Sequence, residues 1–267
     1  MCIRDSKQPE QHAYSFELDR QYLMEYAHAI LVHYRPKYRP AWTAYVDKMV
    51  QHKGSMMAGD VARYRIICGL IERMEQIDLD VDDDLFRLIC TATVYAVQSV
   101  DQGTASMEDT RYILSTASPR LRMLFSGLVG ANAETQSPFA TQQPETIIPP
   151  HIPGPAELHA YVRALGFLQD YEGLYSFSIW LTRHHTDVTA RAEARHSGSK
   201  LLFRMLVALR AAVDGSDQRS GAPDEVAQLI RAQIESVEEW GGWPAHEYVV
   251  MYNKGHLKTA LPGVGGR

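Results

Sequence analysis

Residues 155–181 read PAELHAYVRALGFLQDYEGLYSFSIWL, and residues 199–213 read SKLLFRMLVALRAAV. In the first run Leu158, Tyr161, Val162, Leu165 and Leu168 recur at intervals of three and four, one apolar stripe of a helix. The stripe breaks at Gln169-Asp170 and resumes in a new phase at Tyr171, Leu174, Phe177 and Leu181. Two short helices joined by a tight turn are expected, lying antiparallel. Beyond Asp187 the pattern returns, with Leu202, Met205, Leu206, Leu209 and Val213 on one face.

The same reading extends outward in both directions. Upstream, Phe16 to Tyr34 carries a helical stripe that Pro36 ends, and Trp42, Tyr45, Val46 and Met49 mark a second helix. Asp60 is placed to cap a third, striped by Val61, Tyr64, Cys68, Ile71 and Met74. Asp82 to Asp84 open a fourth, where acidic side chains suit the positive end of the helix dipole. That helix is apolar on several faces (Leu85, Phe86, Leu88, Ile89, Ala92, Val94, Ala96 and Val97), so neighbours are expected on most sides. Met107 to Leu114 reads as a weaker helix, and Ser118-Pro119 as the start of another over 120–129. Downstream, Pro223-Asp224-Glu225 starts a helix striped by Val226, Leu229, Ile230, Ile234 and Val237. The Trp240-Gly241-Gly242-Trp243-Pro244 run breaks it, and Tyr248 to Tyr252 forms a last short one.

No strand-like alternation of useful length occurs, so the expected class is all-α, an α-solenoid of antiparallel helix pairs. The pairs begin at intervals of roughly 40–48 residues, nearer the period of HEAT repeats than of tetratricopeptide repeats. Residues 1–11 read as a non-native leader, because Met1 to Ser6 shows neither an apolar signal core nor an Arg/Ser-rich amphipathic helix. An N-terminal helical array over 12–130, a Pro-rich linker over 131–154, C-terminal repeats over 155–261 and a flexible tail over 262–267 complete the expected organisation.

Composition narrows the function. The 267 residues carry a net charge of −5, against a uniformly basic nucleic-acid binder but not against a local basic stripe. Cys2, Cys68 and Cys90 show no paired spacing, and the last two fall on apolar stripes, as reduced core thiols of an intracellular protein do. No apolar run reaches the ~20 residues of a membrane span. The acids Asp78, Asp80, Asp82, Asp83 and Asp84 imitate the start of a calcium loop. They lack its glycine, since Asp83 stands sixth, and its closing glutamate, since Ile89 stands twelfth; a capping turn is the expectation. His184 and His185 are adjacent and cannot chelate one ion easily, so a polar helix end is expected there. No nucleophile elbow, phosphate loop or dinucleotide fingerprint is present. The expectation is a non-catalytic protein without metal, cofactor or small-molecule substrate.

Two cationic features suit single-stranded nucleic acid. Arg35, Lys37 and Arg39 interleave with Tyr34 and Tyr38. Arg191 and Arg195 are four residues apart, as are Lys200 and Arg204, so each pair shares a helix face; Glu193 partly offsets them. An exposed inter-helix turn for the first, and an ordinary solvated charged face for the second, are the simpler readings.

The opening stretch also resembles one pentatricopeptide-type repeat of the sort found in fungal mitochondrial proteins. Leu158-His159-Ala160-Tyr161-Val162, Ala164-Leu165-Gly166 and the turn Asp170-Tyr171-Glu172-Gly173-Leu174 carry the resemblance. It implies an α-solenoid, a mitochondrial location and RNA binding in transcript maturation or translation. It also implies that His159 stands where the base-reading residue of the first helix lies. The alternative is a protein-interaction scaffold with no nucleic-acid role.

Overall fold

The computed structural model describes residues 59–76, 81–130, 151–195, 197–215 and 220–255. The helices expected upstream of Gly59, the Arg35–Arg39 turn and residues 131–150 of the linker fall outside them. The described residues form nine α-helices and one short 3-10 helix, with no strand among them. The class is all-α. No described helix is long and apolar enough to cross a membrane.

The chain divides into two compact units, residues 1–80 and 81–267. In the first, α1 (Gly59–Gln76) buries Val61, Tyr64, Ile67, Cys68 and Ile71. These are the three- and four-residue steps of one helix face.

The second unit begins with α2 (Asp83–Asp101). Asp82 caps it by accepting a hydrogen bond from the Leu85 N–H at 2.8 Å, and Asp83 and Asp84 occupy the first turn. Eleven of its 19 residues are buried, the many-sided burial its apolar pattern predicts. Cys90 is among them, and burial pushes its thiol well above the ordinary range, so it packs as a small hydrophobe.

Next comes α3 (Met107–Leu128), a single helix running through Pro119. The sequence suggests two helices here, because proline removes one ladder hydrogen bond. Continuity holds because Ile113, Ala117, Leu121, Leu124 and Phe125 make one unbroken buried stripe across the proline. Side-chain bonds beside it also help: Ser118 donates to Asp170, and Arg122 donates to both oxygens of the same carboxylate at 2.8 Å.

The stretch that opens the sequence reading folds as α4 (Pro155–Leu168) and α5 (Tyr171–Arg183). The break falls at Gln169, whose φ of 54° is left-handed, and at Asp170, which caps α5 by accepting from the Gly173 N–H at 2.9 Å. Leu158, Tyr161, Val162 and Leu165 are buried on α4, and Leu174, Phe177 and Leu181 on α5, while Leu168 is partly exposed. The remaining helices are α6 (His185–Glu193), α7 (Gly198–Asp214), α8 (Asp224–Glu235) and α9 (His246–Asn253), with the 3-10 turn Glu238–Trp240 before the last. On α8 the buried residues are Ile230 and Ile234; Leu229, expected on that stripe, is 48% exposed.

Helix α4 is the hub. Its most extensive packing is against α7 on one side and α2 on the other. Helix α7 also touches α9, and α5 packs on α8. Rings from four helices fill the interior. Phe125 of α3 stacks on Tyr161 of α4 at 4.5 Å between centroids. Phe86 of α2 and Phe177 of α5 close on Tyr161 at 5.5 and 5.6 Å. Aromatic pairs of this kind contribute ~0.5–1.5 kcal/mol each beyond their burial.

Candidate functional site: a cleft lined by two guanidiniums

The closest helix pair makes the cleft. Gly166 of α4 faces Ala212 of α7, and a Cβ at position 166 would stand 2.7 Å from the Ala212 Cβ. Small residues therefore let α4 and α7 approach. Just before Ala212 on α7, Ala208 and Ala211 leave space because their side chains stop at one carbon. A hollow of about 450 Å³ results, within the size range of small-ligand pockets. The end of α2 lines it with Gln98, Asp101 and Gln102, and the end of α9 with Tyr252 and Asn253.

Its charged groups are two arginines on facing helices and Asp101 at the end of α2. Arg163 lies one turn before Gly166 and Phe167, and Arg204 one turn before Ala208, so helical spacing turns both toward the cleft. Each guanidinium is steadied by a ring face. Arg163 sits 5.9 Å from the Phe167 centroid and Arg204 5.8 Å from that of Tyr252. Neither forms an ion pair among the described residues, and the Nε of Arg204 is buried without a hydrogen-bond partner. Such a donor is costly unless something accepts from it.

Behind Tyr252 lies His159, one turn before Arg163. Its Nε2 is 2.9 Å from the Tyr252 hydroxyl, and the rings meet edge to face at 5.9 Å. Burial first, then the charges of Arg204 and Arg163, lower its pKa to about 3. The imidazole is neutral at physiological pH and adds no third positive charge. Burial also raises the Tyr252 hydroxyl above its usual range, so the phenol keeps its proton.

The cations that the sequence picks out separate into two places. Arg204 lines the cleft, with His159 behind Tyr252 next to it. Arg191 pairs with Asp83 at 3.1 Å, where His151 also reaches the same carboxylate at 2.7 Å. Arg195 stands 4.0 Å from the buried carboxylate of Glu157, which Arg87 approaches at 3.7 Å. Lys200 is exposed on the first turn of α7. Arg35, Lys37 and Arg39 lie outside the described residues. The other histidines have local partners: His185 contacts the Thr182 carbonyl at 2.9 Å, and His184 lies 5.1 Å from the Trp180 ring. Among the described residues no group of three His, Cys, Asp or Glu is placed to hold a metal ion.

Sequence reasoning leaves out Arg163, Tyr252, Asn253, Gln98 and Gln102. Arg163 carries a signal, since it stands four residues after His159 and so shares its face. The others have none: they reach the cleft because α9 and α2 pack beside α7 and α4.

Fold and site together define a helical protein with an open, cation-lined cleft. No family model matches the chain, and no curated protein or solved structure matches it.

Proposed function

We propose that the chain is a non-catalytic α-solenoid, similar in pattern to pentatricopeptide-type repeat proteins, that binds single-stranded organellar RNA in transcript maturation or translation. The observation that carries the reading is the pair Arg163 and Arg204, two guanidiniums lining one cleft with no ion pair to a carboxylate among the described residues. Phosphate is what such forks take, often bidentately. The amides of Gln98, Gln102 and Asn253 beside them are the groups that read base edges, and Phe167 offers an aromatic face. Stacking of alternate helices supports the solenoid: α2, α4, α7 and α9 follow one another in a row, and α5 meets α8.

The test is retention of single-stranded RNA on filters over a salt series. Reversing Arg163, Lys200 and Arg204 to glutamate should weaken binding whatever the sequence. Each lost phosphate contact should take ~0.7 from the slope of log affinity against log salt. His159→Ala should change sequence preference more than affinity. Wild-type protein without salt-dependent retention would sink the reading.

The scaffold alternative has one observation of its own. Arg191 and Arg195 are turned to Asp83 and Glu157, which takes half of the expected cationic ladder out of easy reach of phosphate. Absence of RNA retention would leave that reading standing.

A further inference from the structure

We infer that α9 is the movable wall of the cleft, a hinged flap whose docking on α7 and whose contact with a ligand in the cleft support each other. The inference rests on the RNA reading above for what fills the cleft; the movement itself is argued from α9.

Attachment is the first argument. Helix α9 spans eight residues, below the ~12–15 at which an isolated helix holds in water, so docking is what sustains it. Only Val249 of the eight is buried, whereas α4 buries seven of 14 residues and α7 eight of 17. The other holds are slight. Tyr248 meets the Phe203 ring edge to face at 5.1 Å, and exposed His246 stands 3.7 Å from the Asp214 carboxylate, a surface pairing of little strength. An element with so few buried apolar contacts opens before the core does.

The pivot is the second. Buried Pro244 pins the chain just ahead of α9, its carbonyl accepting from Arg210. Ala245 follows, exposed and extended at φ −67° and ψ 153°, with no side-chain capping bond to hold it. Tyr252 and Asn253, which line the cleft, lie at the opposite end of α9, roughly 10 Å from this pivot at about 1.5 Å per residue. A rotation of about 20° at Ala245 would move them by about 4 Å, the most of any part of the helix. It would break one hydrogen bond, from Tyr252 to His159, and lift the Tyr252 ring from Arg204.

Coupling follows from that placement. A ligand in the cleft touches Tyr252 and Asn253 only while α9 is docked, so it binds the docked form better and holds α9 in place. The effect is reciprocal: loosening α9 weakens the ligand.

Hydrogen exchange read by mass spectrometry on the full chain tests this. In the ligand-free protein the amides of Val250 to Asn253, inside the helix ladder, should exchange about tenfold or more faster than those in the middle of α4 and α7. Tyr252→Phe removes only the hydroxyl on His159; it should speed the α9 amides about threefold or more and leave α4 and α7 unchanged. Saturating single-stranded RNA should slow them. Exchange of α9 at the rate of α4 and α7 would overturn the inference. So would a Tyr252→Phe effect spread equally over all three helices, or bound RNA that leaves α9 exchange unchanged. Failure of RNA to bind, with fast local exchange of α9 in the free protein, would overturn the RNA reading and keep the hinged flap. The wild-type comparison stands even if the variant fails to fold.

Discussion

The imidazole of His159 shares its surroundings with two guanidiniums and one phenol, the groups that α4, α7 and α9 bring to it. Protonating it would bury a third positive charge among them. The unfolded chain has no such penalty, and there the residue titrates near 6.5. Because the folded value lies near 3, the unfolded state binds the extra proton between these limits. Stability from this residue is therefore full above about pH 6.5 and drains away as pH falls toward 3. Urea denaturation should show a loss of about 2 kcal/mol between pH 7 and pH 5 from this group. His159→Gln should flatten that part of the profile. An unchanged profile in the variant would mean that His159 is not held neutral. The sequence offers only Arg163, four residues on along the same face. A histidine on a striped helix looks the same whether its neighbours are carboxylates or arginines, and its other neighbours come from residues 204 and 252.

At the scale of the element, α4 and α7 carry the densest packing. Leu165 and Leu209 are fully buried on them, and each loses three carbons on truncation to alanine. Leu165→Ala and Leu209→Ala should each cost ~2–5 kcal/mol, transfer and cavity together. Chemical denaturation that found less than about half a kcal/mol at both sites would refute the face assignment. These stripes were legible in the sequence, as were the Asp82 cap and the Gln169-Asp170 break, because periodicity and capping are local. What was not legible depended on partners. Pro119 looks like a helix start until Asp170 arrives, 51 residues later in the chain, to hold the residues on either side of it. Leu229 fits its stripe by spacing, yet it is 48% exposed, because burial depends on what packs beside α8 and not on spacing. The cleft is of the same kind: each helix contributes an ordinary-looking face, and only their juxtaposition makes a site.

At the scale of the whole molecule, residues 131–150 lie between α3 and α4 in the chain, while α2, which precedes α3, packs directly on α4 within the unit 81–267. Phe86 and Tyr161 meet across that contact, as do Arg87 and Glu157. None of these pairs needs the intervening peptide to be continuous. Fragments 1–130 and 151–267, made together as separate chains, should therefore copurify and elute as one species in gel filtration; separate elution would show that the α2–α4 contact cannot hold them. Complementation of this kind would give the covalent link between α3 and α4 one role in stability. It fixes the effective concentration at which two halves meet, a quantity that falls only slowly as a linker lengthens. Additions to its length would then be felt as small entropic changes in stability, while the α2–α4 contact beside the cleft would stay as it is.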